Sequence, residues 1–175
     1  MPAWETVRVR VFLIGFMGAG KTATGRALAR RAGTLFLDLD ARVEASLRMS
    51  VARIFGERGE AVFRAEETRQ LAACARFPGF VAATGGGTFA SPGNRELIRR
   101  AGVSVFLDVP WGEIVRRLPG KRGERPLFES PEQAFQLYGE RLPHYRAADV
   151  TIRPEVGEDA EALAGRLALL LEGRA

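Results

Sequence analysis

Eight residues near the start of the chain, GFMGAGKT (Gly15 to Thr22), fit the pattern G-x-x-x-x-G-K-[ST] without exception. They follow the apolar run VRVRVFLI and precede a stretch rich in helix formers, which is the strand–loop–helix setting the pattern needs. Glycines let the backbone curl so that successive N–H groups point at phosphate oxygens. The helix N-terminus adds partial positive charge. Gly18, Ala19, Gly20 and Ala23 complete such a cradle. Lys21 reaches the β- and γ-phosphates, and the Thr22 hydroxyl is a magnesium ligand. Arginine is otherwise the default cation here: the only lysines are Lys21 and Lys121. A lysine inside the glycine loop therefore calls for a specific reason. The expected ligand is a nucleoside triphosphate.

Other residues suggest what the phosphate is handed to. Asp38 and Asp40 flank Leu39 at the end of an apolar run. Two-residue spacing on an extended chain puts both carboxylates on one face. One can hold magnesium through water and the other can accept hydrogen bonds from hydroxyls. An acidic helix N-cap at Asp40 is the competing reading. Arg64, in GEAVFRAEE, is either an anion ligand or part of an i,i+4 ion-pair face. Gly85, Gly86 and Gly87 cost backbone entropy, which close approach to a ligand would justify; a plain loop is the alternative. Arg125, in the basic loop GERPLF, could close over the nucleotide and stabilise charge on a transferring phosphoryl group. Arg141, in ERLPHY, could join Arg64 in binding a carboxylate bidentately. His144 reads as a surface or supporting residue, and Cys74 as a packed thiol.

Composition narrows the classes. The chain has 175 residues, one cysteine and a net charge of +5. A single cysteine excludes an internal disulfide and a multi-cysteine zinc site. No basic run is interleaved with aromatics, so nucleic acid is not an expected partner. No apolar run spans a bilayer, and VFLIGFM is too short and glycine-broken for a signal peptide, so the cytoplasm is the expected location. A guanine-reading N/T-K-x-D is absent, which argues against a GTPase switch. VFLDVP, with Asp108, only weakly mimics the acidic strand end of a motor ATPase. A small-molecule kinase remains.

The elements that must position these residues read as alternating strands and helices. Strands are expected over Val7 to Ile14, Leu35 to Leu39, Phe80 to Thr84, Val103 to Val109 and Val150 to Arg153. Helices are expected over Thr22 to Ala32, Asn94 to Ala101, Gly112 to Leu118, Pro131 to Arg146 and Glu158 to Leu171. Residues 41–77 are mostly helical, punctuated near Ser50 and Gly56 to Gly59, and PGKRGERP reads as a mobile loop. Apolar strands without clean alternation, separated by helices, imply a parallel sheet covered on both faces. Ligands in such folds bind at the carboxyl ends of the strands, where GFMGAGKT, DLD and GGG should meet.

The ordered set GFMGAGKT, FLDLD, GEAVFRAEE, ATGGGT, ERPLF and RLPHYRAADVTI resembles the shikimate kinase family almost end to end. The resemblance implies one three-layer α/β/α domain over residues 1–175, similar to nucleoside monophosphate kinases, with a five-stranded parallel sheet in order 2-3-1-4-5. It implies a substrate-binding segment at about 41–77 and a lid loop at about 119–128. The implied activity is ATP-dependent phosphorylation of the shikimate 3-hydroxyl, on the route to chorismate and aromatic amino acids, with Mg2+ as cofactor and family habit favouring a monomer. Carried over by motif, Lys21 binds phosphate, Thr22 binds magnesium, and Asp38 supports it through water. Asp40 holds the ring hydroxyls. Arg64 and Arg141 grip the carboxylate, Gly86 and Gly87 complete the pocket, and Glu67 orients Arg64. Arg125 is the lid arginine, Arg117 stacks on adenine and Pro154 lies on its other side. Gluconate kinase, which shares the phosphate loop, and a non-catalytic nucleotide-dependent module are the alternatives.

Overall fold

The computed structural model of the chain describes residues 9–117 and 130–172. Five parallel strands, β1 (Arg10–Ile14), β2 (Leu35–Asp38), β3 (Phe80–Ala83), β4 (Val103–Leu107) and β5 (Val150–Ile152), form one sheet in the order β2-β3-β1-β4-β5. Helices flank it to give the expected three-layer α/β/α architecture. They are α1 (Lys21–Arg31), α2 (Leu39–Leu47), α3 (Val51–Arg58), α4 (Glu60–Cys74), α5 (Pro92–Ala101), α6 (Trp111–Arg117), α7 (Pro131–Tyr145) and α8 (Ala160–Glu172). No described helix is long and apolar enough to cross a membrane.

The strand sequences follow from their places. Central β1 has neighbours on both sides, and Val11 to Ile14 are all fully buried, hence a continuous apolar run. Edge strand β2 alternates more, with Leu35 half exposed. The apolar stripe expected on the last helix is present: Leu163, Ala164, Leu167 and Leu171 are buried, and α8 packs on α1.

Register aligns the strand ends. Asp38 of β2 pairs with Ala83 of β3, which pairs with Leu13 of β1. The glycine loop, the Asp38 corner and the triple glycine therefore leave the sheet at one level, as the sequence implied. One expectation is corrected. The second strand ends at Asp38, not Leu39, and Asp40 lies in the first turn of α2. The two carboxylates thus do not share the face of a strand. Asp38, not Asp40, is the N-cap, its carboxylate accepting from the Ala41 N–H at 3.3 Å.

Helices α2, α3 and α4 enclose a small core of their own, Val43, Ile54 and Phe63, with the Phe55 ring packed on Phe63 at a tilt of 47° and a centroid distance of 4.9 Å. Ser50 caps α3. Glycine ends α3 at Gly59, which has φ 83° and forms the corner into α4. The break near residues 56–59 is therefore one sharp turn between two helices.

Candidate active site

The glycine loop closes the gap between β1 and α1. Gly15, Gly18 and Gly20 have φ of 149°, 80° and 92°, values that disfavour side chains. Gly20 occupies the N-cap of α1 without a side-chain cap, so the helix presents bare N–H groups to the cleft. Lys21 Nζ donates to the Gly15 and Phe16 carbonyls at 2.7 and 2.9 Å, which folds its ammonium over the loop.

Beside it, the Thr22 hydroxyl donates to Asp38 at 3.1 Å. Asp38 thus uses one oxygen to start α2 and turns the other to Thr22. A hydroxyl and a carboxylate at the mouth of the glycine loop are hard oxygen donors. They fit magnesium, which keeps several waters and few protein ligands. Among the described residues no group of three or more His, Cys, Asp or Glu side chains gathers elsewhere as a metal site.

A broad cleft extends from this loop, bordered by Gly18, Gly20, Lys21, Thr22, Ala23, Asp38, Asp40 and Arg117. Arg117, at the end of α6, donates to the Gly18 carbonyl at 3.3 Å and so hangs over the loop. Ala19 is buried beneath the loop. Pro154 follows β5 and does not border this cleft. Arg125 and the loop around it lie outside the described residues.

A second cleft adjoins the first. Met17, Asp40, Phe55, Phe63, Arg64, Glu67, Arg141 and the three glycines line it. Asp40 and Gly86 border both clefts. Glu67 is fully buried and organises one wall. One of its oxygens accepts from Arg64 at 3.0 Å, the other from the Thr88 hydroxyl at 2.5 Å. Arg64 also donates to Glu60. The partnership with Glu67 and Glu60 outweighs the effect of partial burial, so the guanidinium's pKa lies above its ordinary value. Arg141 on α7 is only 7% exposed and lies over the Phe16 ring at 5.9 Å.

The triple glycine is explained by these side chains. A Cβ on Gly87 would sit 2.7 to 2.9 Å from the Arg64 guanidinium. One on Gly86 would sit 3.2 Å from Arg141, and one on Gly85 would collide with Glu67 and lie 2.9 Å from Asp40. Each glycine makes room for a charged group of the wall. Both guanidiniums border this one cleft, an arrangement suited to a carboxylate.

Sequence reasoning missed four contributors. Phe55 and Phe63 supply an apolar part of the lining, with the Arg64 guanidinium over the Phe63 ring at 5.2 Å, and Thr88 completes the hold on Glu67. Tyr145 bonds the Gly86 carbonyl. Two phenylalanines in a helical stretch rich in charged residues were the available signal. His144 Nδ1 accepts from the Arg95 guanidinium at 3.2 Å, away from both clefts, in the supporting place expected for it. Cys74 is buried with its thiol on the Gln70 carbonyl.

Comparison with known proteins agrees with this geometry. A family model described as shikimate kinase matches residues 17–171. The shikimate kinase of Halorhodospira halophila is 40% identical, over 99% of both chains. That of Ruegeria pomeroyi is 38% identical, over 94% of this chain and 85% of the relative. Among solved structures, shikimate kinase from Acinetobacter baumannii in complex with shikimate superposes with a TM-score of 0.91 at 34% identity, covering 98% of this chain and 97% of that one. The Bacteroides thetaiotaomicron shikimate kinase gives a TM-score of 0.85 at 36% identity, covering 94% and 98%. The chain belongs to the shikimate kinase family.

Proposed function

From that membership we propose that the chain transfers the γ-phosphoryl group of ATP to the 3-hydroxyl of shikimate, giving shikimate 3-phosphate and ADP for aromatic amino-acid biosynthesis. The observation that carries the reading is the position of Asp40. It borders both the phosphate cleft and the cleft holding Arg64 and Arg141. An acceptor whose carboxylate meets the two arginines would present a hydroxyl to Asp40, facing the γ-phosphate.

The roles we assign follow from this arrangement. The loop N–H groups from Gly18 to Ala23 bind the phosphates, and Lys21 turns its ammonium from the loop carbonyls to the β- and γ-phosphates. Thr22 and Asp38 would hold Mg2+, the aspartate through water, and the ion when bound neutralises phosphate charge. Arg64 and Arg141 bind the carboxylate, with Gly86 and Gly87 against the ring. Asp40 orients the hydroxyl and accepts its proton. Arg125 closes over the phosphates from the segment at about 119–128, and Arg117 and Pro154 enclose the adenine where it extends beyond the cleft of the glycine loop. Residues 41–77 form the acceptor-binding part of a single domain, and the enzyme acts as a cytoplasmic monomer.

The deciding experiment is an ADP-release assay with magnesium-ATP, run in parallel with shikimate, gluconate and no acceptor. Release that depends on shikimate is the expected result. Release with gluconate alone would transfer the reading to another hydroxy acid. ATP binding without acceptor-dependent release would point to a regulatory module.

A further inference from the structure

Tyr145 lies one turn beyond Arg141 on α7 and is fully buried. Its hydroxyl donates to the Gly86 carbonyl at 2.5 Å. A carbonyl oxygen can only accept, so the direction of this bond is fixed. The phenol ring packs on Phe106 of β4 with centroids 5.3 Å apart, which keeps the hydroxyl on the interior side of the glycine segment. Burial pushes the phenol up to about 12, so it remains a donor throughout the working pH range.

The Gly86 carbonyl belongs to the same peptide unit as the Gly87 N–H. No cis peptide occurs among the described residues, and in a planar trans unit the two groups point in opposite directions. With the carbonyl held toward the interior, the Gly87 N–H faces the other side, where both glycines border the acceptor cleft. Among the described residues no backbone carbonyl takes that N–H. Consecutive glycines would otherwise leave this peptide free to rotate.

We infer that Tyr145 is a positioning residue for the acceptor: its hydroxyl holds the Gly86–Gly87 peptide so that the Gly87 N–H is a fixed donor to an oxygen of the bound hydroxy acid. The inference rests on the function proposed above. Tyr145 itself acts through the peptide and touches no acceptor.

Tyr145→Phe removes only the oxygen. The shikimate KM is expected to rise about tenfold, the size of one lost hydrogen bond, while kcat and the ATP KM move less than about twofold. An unchanged shikimate KM overturns the inference. Amide-resolved NMR on the wild-type enzyme supplies a measurement independent of whether the variant folds. Shikimate should move the Gly87 amide proton downfield, and in a folded variant that displacement should shrink. A Gly87 amide indifferent to shikimate in the wild type overturns the inference as well. The two failures separate cleanly. A wild-type enzyme inert toward shikimate removes the functional reading and this inference together. Wild-type turnover with an unaltered Tyr145→Phe KM removes the tyrosine assignment alone.

Discussion

The Arg64 guanidinium occupies the space that a side chain on Gly87 would need, with three of its atoms 2.7 to 2.9 Å from the place of a Cβ. Gly87 itself has φ −103°, a conformation open to any residue. The glycine is required by its neighbour and not by its backbone. Gly87→Ala should therefore fold, because the displaced atoms are the end of a flexible side chain, yet it should misplace Arg64. We expect the shikimate KM to rise at least about tenfold with the melting temperature nearly unchanged. A variant with normal shikimate KM would show that Arg64 needs no fixed seat.

Glu67 is the buried anchor of that seat. Glu67→Gln keeps the shape and removes the charge facing Arg64, so a buried ion pair loses one partner. The expected result is a stability loss of about 1–3 kcal/mol, read from denaturant midpoints, together with weaker shikimate binding. Nucleotide affinity should hold, since Glu67 borders only the acceptor cleft. Equal loss of both ligands would indicate general damage to the fold.

Arg64 can be tested directly by comparing Arg64→Ala with Arg64→Lys. Arg64 uses three separate N–H groups to engage Glu60 and Glu67. An ammonium cannot span both acids and still offer a fork to a carboxylate. Both variants should weaken shikimate binding severely and leave ATP binding nearly intact, measured by titration calorimetry. A lysine variant close to wild type would reduce Arg64 to a point charge.

Much of the fold was legible because it depends on local pattern. The phosphate loop, the alternation of strands and helices and the apolar stripe of α8 each sit within a short window. The site was legible in its residue types but less so in its reasons. Asp38 and Asp40 were placed near the glycine loop by a strand period that ends one residue too early, since α2 begins at Leu39. The period of two gave the right neighbourhood through the wrong geometry. Gly85 to Gly87 suggested ligand approach, and their lack of side chains also makes room for Glu67, Arg64 and Arg141, which are remote in sequence. Tyr145 and Thr88 carried no local signal, because each matters through a single contact across the fold.

The acid limb of stability should carry the signature of Glu66. Its carboxyl accepts from Arg69 and also from Gln70, which holds it at about 2, below the ordinary 4.5. Arg69 also reaches Ser46, so the cluster ties α4 to α2. The folded pKa is depressed, so this contribution is complete above about 4.5 and is lost as pH falls toward about 2. Glu66→Gln should be less stable at neutral pH and lose less on acidification across that window. Urea midpoints at neutral pH and about pH 3 would test it; parallel curves for the two proteins would reject the assignment.

Gly25 poses the opposite question to Gly87, since it lies mid-helix in α1, where alanine is normally preferred. A Cβ there would meet the Phe36 ring of β2 at 2.6 Å and Leu13 of β1 at 3.1 Å. Phe36 has limited freedom to yield, as the Arg26 guanidinium sits over its ring at 5.4 Å. Helix propensity favours alanine by about 1 kcal/mol, whereas overpacking costs about 1–3 kcal/mol. The second effect should win, because α1 cannot lift from the sheet without moving the loop that ends at its first residue. Gly25→Ala is therefore expected to lower the denaturant midpoint and weaken ATP binding, with shikimate binding to the nucleotide-free enzyme less affected. A more stable variant with normal ATP affinity would mean that Phe36 repacks freely and that the close contact between α1 and β2 does not position the phosphate loop.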